Sequence, residues 1–244
     1  MNHYLPTYIT ASLRYLSIMC LWFSSATVIA STCYDYNNDK RAYFGDLHIH
    51  TGLSADAMLF GTTNRPDDAY SFARGKTIFI ERQGVSDTKP MPVKIDRPLD
   101  FAAVTDHAEN IGTIYLCMDP QSAVYNSQDC QFVRKPLPVD SMANFSTELT
   151  KVWHTMYTSK QICGEDRQRC NDAIKMPWKE IQDTANQWNN SCEFTTFIGY
   201  EYSATVSGAN LHHNVIFGSE EVMDTPISAR SVPRIYDFYA KLKK

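Results

Sequence analysis

Short apolar runs that end in polar residues predict most of the strands of this chain. Residues 43–50 and 99–105 have strand-like composition, and the second run is apolar enough to be buried on both faces of a sheet. Residues 194–201 and 212–217 predict two more strands, with a Ser-Gly-Ala-Asn turn before the last. Chemically reactive side chains stand at or just beyond the ends of these runs.

Helical patterns alternate with the strands. Residues 66–75 predict a short helix, with Pro66 in its first turn and glycine after its end, and residues 76–98 predict a hairpin or a surface excursion. From 117 to 192 the chain is polar and cysteine-bearing, with helices predicted near 144–160 and from Pro177 to about 188, which indicates an inserted, disulfide-tied helical subdomain. The alternation favours an α/β sheet or barrel with its site at the carboxyl ends of the strands.

The first thirty residues have the composition of a cleaved signal peptide. Arg14 is their only charged residue, and an apolar run over residues 15–29 ends in a small-residue site at Ala30. An uncleaved membrane anchor is the alternative, and a lipid anchor on Cys33 is disfavoured because Thr32 is a poor residue before such a cysteine. We therefore expect an exported protein, periplasmic or extracellular in a bacterium, with no stable membrane association after cleavage.

Removal of this leader leaves six of the seven cysteines, an even number that suggests up to three disulfides in an exported chain. The two local pairs, Cys117 with Cys130 and Cys163 with Cys170, are the natural assignments, and Cys33 with Cys192 then remains. Six cysteines allow about fifteen pairings, so other connectivities stay open. No two of these cysteines have the two-residue spacing of a zinc knuckle, and a metal site is therefore expected to use histidines and carboxylates.

Composition and charge limit the kinds of partner. The 244 residues are 43% hydrophobic, as in a globular domain, and the net charge of −4 includes no basic block. Nucleic acid and anionic membrane surfaces are therefore not expected as partners. A small-molecule substrate is expected, and an anionic one would have to be attracted by bound metal ions.

Histidines supply the strongest chemical signal. His48 and His50 are two residues apart on a predicted strand, so their side chains project together and can bind one ion or two neighbouring ions. His107, Glu201 and the pair His212-His213 follow in later strand-like segments. Each of these residues alone fits a core position, but a core does not bury so many titratable groups without partners. Imidazole with carboxylate favours zinc, manganese or iron(II).

Other candidate residues carry weaker signals. Asp46 and Asp106 precede His48 and His107 by two and one residues, and either could orient a histidine or cap a strand end. Ser54 and Ser203 lack the glycines of a nucleophile elbow. The tryptophans at helical positions are expected to serve helix or core packing: Trp153, Trp178 and Trp188.

Several motifs together resemble a known superfamily. The segment Phe-Gly-Asp-Leu-His-Ile-His-Thr at 44–51, the Val-Thr-Asp-His at 104–107 and the Gly-x-Glu at 199–201 resemble the first motifs of the PHP (polymerase and histidinol phosphatase) metal hydrolases. The further segments 66–70, 97–101 and 210–212 are similar to a bacterial PHP-like family, domain of unknown function number 3604. The resemblance covers roughly residues 42–217.

The resemblance implies a distorted (β/α)7-type barrel with two or three divalent ions and a metal-bound hydroxide that attacks a phosphoester-like substrate. His48 and His50 would bind the first ion, Glu201 would bridge two ions, and the further ligands would be Asp56, His107 and His212. His212 is also a candidate proton donor, and it and Asp106 are the predicted catalytic residues. His213 is the less favoured alternative, because neighbours on a strand cannot both face the site.

Two departures from the superfamily pattern lead to alternative predictions. Asp56 lies six residues after His50, one more than is usual, and Ala57 stands where glycine is usual. The superfamily also has a further histidine and a terminal Asp-x-His pair, whereas no histidine follows His213. We therefore expect a barrel incomplete at its C-terminus, as in a truncated fragment of a longer enzyme. A catalytically silent, metal-binding secreted domain is the alternative to an exported hydrolase.

Overall fold

The computed structural model describes Cys33 and residues 39–81, 89–135, 137, 141–206 and 209–243. The predicted signal peptide lies outside these residues, and no helix within them is long and apolar enough to cross a membrane. The strands are β1 (Gly45–Ile49), β2 (Ile78–Ile80), β3 (Met91–Val93), β4 (Phe101–Val104), β5 (Thr195–Val206) and β6 (Ala209–Ile216). The helices are α1 (Ala55–Leu59), α2 (Pro66–Ala73), α3 (Ile111–Met118), α4 (Gln128–Val133), α5 (Met142–Thr158), α6 (Lys160–Cys163), α7 (Gln168–Ala173), α8 (Lys175–Trp188) and α9 (Ile235–Leu242).

A four-stranded sheet with the order β1-β4-β5-β6 forms the centre of the fold. β1 pairs with β4 and β4 with β5 in parallel, whereas β5 and β6 form an antiparallel hairpin. The sheet curls into a half-barrel, and the Asn214 side chain on β6 donates a hydrogen bond of 2.9 Å to the Leu47 carbonyl on β1, at the opposite edge. The α/β class predicted from the sequence is confirmed.

A bulge interrupts β1 next to its histidines. Asp46 lies opposite Ala102 and Ile49 lies opposite Val104, so three steps along β1 match two along β4. Such an extra residue leaves a backbone group without its strand partner. The His48 N–H instead donates to Oδ1 of Asp46 at 2.9 Å. Asp46 therefore satisfies the backbone N–H of His48 at the irregular point of the strand.

The main core lies between this sheet and helices α2 and α8. Ala102, Ala103 and Val104 of β4 are fully buried, as the apolar run predicted. Trp178 and Ile181 form the buried face of α8, and the Trp178 indole N–H donates to the Met223 carbonyl at 2.8 Å. Burial of such large side chains contributes roughly 1.5–3 kcal/mol each for an aliphatic or aromatic residue, and it holds the strands that carry the site.

A second apolar cluster is tied by two disulfides. Ile114 and Met156, from helices α3 and α5, are fully buried in it together with the bridges Cys117–Cys130 and Cys163–Cys170. A third bridge, Cys33–Cys192, joins the segment before β1 to the loop before β5. All three predicted pairings are confirmed. The region 117–192 contributes to both clusters, because α8 packs in the main core.

The observed elements refine the predicted bounds. The excursion at 76–98 contains the hairpin β2-β3, with residues 82–88 outside the described part. The helix predicted near 144–160 is α5, and the helix predicted from Pro177 begins two residues earlier, with that proline in its first turn. β5 continues five residues beyond Glu201, because the pairing with β6 extends it.

Candidate metal centre

The predicted metal ligands converge at the carboxyl ends of the parallel strands. His48 lies in β1 and His50 directly after it, and His107 follows β4. Glu201 lies within the longer β5, where its backbone pairs with the segment after β4: its N–H donates to the Asp106 carbonyl, and its carbonyl accepts from the Ala108 N–H. These main-chain bonds fix the position of Glu201 relative to His107.

The carboxylate of Glu201 is the centre of the site. It is completely buried, and its Oε2 lies 2.7 Å from Nε2 of His48 and 2.8 Å from Nε2 of His50. Its other oxygen, Oε1, lies 3.6 Å from Nδ1 of His107 and forms a hydrogen bond with Nδ1 of His212. One carboxylate thus contacts a pair of histidines through each of its two oxygens.

Asp56 completes a second group of side chains that could bind a metal ion. It lies in the first turn of α1, and its carboxylate contacts Nδ1 of His50 at 2.8 Å and Nε2 of His107 at 3.5 Å. The Ser54 hydroxyl donates to Asp56 at 2.7 Å and accepts from the His107 N–H at 3.2 Å. The extra residue between His50 and Asp56 therefore does not prevent the aspartate from reaching the histidines.

These residues form three overlapping groups that could hold a metal ion, with the ligand atoms of each group within 4.8 Å of one another. Every predicted ligand belongs to at least one group, and neighbouring groups share His50, His107 or Glu201. Their roles as ligands stay predictions. The groups are His48 with His50 and Glu201, His50 with Asp56 and His107, and His107 with Glu201 and His212.

Strong electrostatic coupling follows from this packing. Burial would lower the pKa of His50, but hydrogen bonds to Asp56 and Glu201 outweigh it and raise the pKa to about 10. Burial would likewise raise the pKa values of Asp56 and Glu201, but hydrogen bonds with the histidines hold both well below their ordinary values. In the metal-free chain, the protonated His50 ring therefore neutralises the carboxylates, a task that bound cations would otherwise perform.

Asp106 lies beside the ligand groups and outside them. It is fully buried, and its carboxylate accepts from the Thr51 N–H at 2.5 Å and from the Thr51 hydroxyl at 2.7 Å. Burial raises its pKa to about 6. Asp106 thereby fixes the backbone directly after His50, which favours an orienting role. Its predicted catalytic role stays a prediction.

His212 and His213 face opposite sides of β6. The His212 ring packs against His107 with centroids 5.4 Å apart, at the site. The His213 ring lies against Tyr202 and Tyr239, with centroids 6.4 and 5.9 Å away. Alternation along the strand therefore brings His212 to the candidate centre and directs His213 into the packing under α9.

Sequence reasoning considered Ser203 only as a nucleophile, and it missed Glu109. The Ser203 hydroxyl lies 2.6 Å from Oε1 of Glu201, 2.9 Å from Nδ1 of His107 and 3.1 Å from Nδ1 of His212. The Ser203 N–H donates to Oε1 of Glu109 at 2.9 Å. The spacing of two residues between Glu201 and Ser203 on a strand was the available signal for this shared face.

A cleft of about 720 Å³ opens onto the candidate centre. His107 and His212 line one side of it, and α5 forms the other side with Trp153, His154 and Tyr157. Trp153 packs against the second apolar cluster, as expected, and it is also half-buried beside the opening of the cleft. Because the cleft combines aromatic surface with polar groups, it is suited to a small molecule.

Fold and site together define an α/β protein with a candidate multi-ligand metal centre at the carboxyl ends of its strands. The model of the family described as "Protein of unknown function (DUF3604)" matches residues 37–244. The chain belongs to the DUF3604 family. No curated protein and no solved structure matches it.

Proposed function

We propose that this protein is an exported, metal-dependent hydrolase of the PHP type that acts on phosphoesters. The observation that carries the proposal is the Glu201 carboxylate, which is buried and contacts His48 and His50 through one oxygen and His212 through the other. A buried carboxylate surrounded by imidazoles and without a lysine or arginine partner among the described residues fits a ligand that bridges two cations.

The donor set fits divalent ions. Nitrogen and oxygen ligands bind such ions at about 2.0–2.2 Å, which places two ligands of one ion roughly 3–4 Å apart. The contacts of 2.8–3.6 Å among His50, His107, Asp56 and Glu201 lie close to that range. Zinc, manganese or iron(II), two or three per chain, suits imidazole with carboxylate. Bound ions would supply activation of a water molecule and neutralisation of phosphate charge.

The protein's own groups would position the reactants. His212 is 43% exposed at the cleft, so it can reach a leaving group and donate a proton to it. Asp106 holds the backbone at Thr51 and so fixes His50, and the Ser203 hydroxyl links His107 to Glu201. The cleft volume favours a small substrate over a polymer.

Export is proposed on two grounds. The apolar, nearly uncharged residues 1–30 have the features of a signal peptide. Three disulfides are typical of a periplasmic or extracellular environment, because the cytosol keeps thiols reduced. Detection of the mature chain in a periplasmic fraction, beginning after Ala30, would test this part of the proposal.

Hydrolysis assays test the activity. Chain loaded with zinc, manganese or iron(II) should hydrolyse p-nitrophenyl phosphate or its bis-ester, and His107→Ala should lower kcat/KM by at least about a hundredfold, as loss of a group central to catalysis does. His213→Ala is the matched control, since that ring faces away from the cleft. One bound ion per chain with no turnover in any metal form would contradict the hydrolase and support a catalytically silent metal-binding domain.

A further inference from the structure

A second cavity, of about 420 Å³, lies beside the candidate metal centre. It opens between the start of α3, the start of α7 and the segment 225–231, and Glu109 is the lining residue that it shares with the larger cleft. Asn110, Arg167 and Arg230 add polar groups to its wall, and none of them belongs to the three candidate metal groups. The cavity is therefore distinct from the three candidate metal groups, and its wall carries two arginines and two carboxylates.

Two arginines meet in this cavity. Arg167 and Arg230 both donate to the carbonyl oxygen of Tyr157, the second at 3.3 Å, so their guanidinium groups are neighbours. Neither forms an ion pair with a carboxylate among the described residues, unlike Arg65, which pairs with Glu180. Burial lowers the pKa of both arginines, and repulsion from Arg230 adds to this effect on Arg167. Two half-buried cations placed side by side repel each other, and a bound anion would offset that repulsion.

Asn110 adds an unused hydrogen-bond donor. It is 2% exposed, and its Oδ1 accepts from Arg230 at 3.5 Å. Its amide nitrogen Nδ2 is buried and makes no hydrogen bond of ordinary geometry among the described residues, although the Asn110 side chain interacts with that of Tyr157. A buried N–H group without an acceptor is costly, and an oxyanion in the cavity would supply the acceptor.

Two carboxylates also line the cavity and restrict the choice of anion. The Oδ1 atom of Asp166 already accepts a hydrogen bond from the Gln168 N–H at 3.0 Å. Glu109 uses Oε1 to accept from the N–H groups of Ser203 and Ala229, but its Oε2 is buried without a hydrogen-bond partner among the described residues. That oxygen needs a donor, so the ligand should carry both oxyanion acceptors and a hydroxyl.

We propose that this cavity binds hydrogen phosphate. Its oxygens would accept from Arg167, Arg230 and Asn110, and its P–OH would donate to Oε2 of Glu109. Sulfate offers the same size and acceptors without the hydroxyl at neutral pH, so it should bind more weakly. The site uses none of the candidate metal ligands, but its Glu109 lies 3.8 Å from His107. Phosphate binding is therefore measured on the metal-free chain, apart from hydrolysis.

Calorimetric titration of the full, metal-free chain with inorganic phosphate tests the proposal, with thermal melting as a second readout. Phosphate should bind and raise Tm, and sulfate should bind at least about tenfold more weakly. Arg167→Gln and Arg230→Gln should each weaken phosphate binding by about tenfold or more. Arg169→Gln is the matched control, because that guanidinium donates to the Gln161 and Ile162 carbonyls and does not line the cavity.

Asn110→Asp keeps the test valid if an arginine variant fails to fold. The change is nearly isosteric and retains the acceptor for Arg230, but it replaces the free N–H donor with a negative charge, so phosphate binding should be lost while the melting temperature without phosphate is kept. His48→Ala should bind phosphate like the parent chain, because His48 contacts Glu201 and does not line the cavity. Absence of phosphate binding in the parent chain, equal binding of sulfate, or unchanged binding in Asn110→Asp would overturn the proposal.

Discussion

At the scale of single residues, the chemistry of the candidate centre depends on one buried carboxylate and the imidazoles around it. The histidines could be predicted from sequence because two-residue spacing on a strand is a local property. Ser203 and Glu109 could not, because serine and glutamate are common and their importance arises only where β5 pairs with the segment after β4. The local sequence thus predicts the candidate ligands, whereas the residues that hold them in place are found only once the strand pairing is known.

Proton release on metal binding is the expected consequence of the raised His50 pKa. A group with a pKa of about 10 is protonated at pH 7.5, and an ion can bind its nitrogen only after that proton leaves. Metal affinity should therefore rise with pH toward 10. Zinc binding should be measured by calorimetric titration in buffers of different ionisation enthalpy. The slope of the observed binding enthalpy against the buffer ionisation enthalpy should correspond to release of at least about one proton per chain.

His50→Gln should lower this slope, and His213→Gln should leave it unchanged, because the second histidine contacts Tyr202 and Tyr239 instead of the carboxylates. A slope near zero for the parent chain at pH 7.5 would show that His50 is already neutral. The electrostatic account of the centre would then be wrong.

At the scale of elements, strand alternation and strand length decide which side chains reach the site. The apolar run at 99–105 predicted β4 well, since its burial is set by its own composition. The length of β5 was underestimated because its extension over residues 202–206 depends on antiparallel pairing with β6, which the local sequence does not specify. The bulge in β1 was also not predicted, since it arises from the register with β4.

Substitution of the two neighbouring histidines of β6 should separate function from packing. His212→Ala should reduce the number of bound ions and change Tm little in the metal-free chain, because its side chain is 43% exposed. His213→Ala should keep the ions and lower stability by about 1 kcal/mol or more, because an aromatic ring packed between two tyrosines is removed. Metal analysis and urea unfolding measure the two effects. The opposite pattern would contradict the observed register.

At the scale of the whole molecule, a curled sheet and three disulfides bring distant segments together. Cysteine pairing could be predicted because two of the bridges are local in sequence and only two cysteines were then left to form the third. The meeting of Arg167 with Arg230 could not, since no local pattern relates two residues so far apart in the chain. Separation along the sequence thus limited what sequence analysis could foresee.

Loss of the Cys33–Cys192 bridge should destabilise the fold as a whole. The bridge joins residues 159 positions apart, and closure of so long a loop restricts the unfolded chain strongly. The double substitution Cys33→Ser/Cys192→Ser should lower the free energy of unfolding by about 2–5 kcal/mol, as measured by urea titration. Cys192 is exposed, so the change leaves no buried hydroxyl at that position. Unchanged stability would show that the bridge constrains little.

The most direct test of a multi-ion centre is the number of ions per chain, counted by native mass spectrometry after reconstitution with zinc or manganese. We predict two or three ions for the parent chain and for the control Glu193→Gln, whose carboxylate pairs with Arg74 at the surface. Glu201→Gln should retain at most one ion, because Glu201 belongs to two of the three ligand groups. A parent chain that binds fewer than two ions, or a Glu201→Gln chain that binds as many as the parent, would contradict the account.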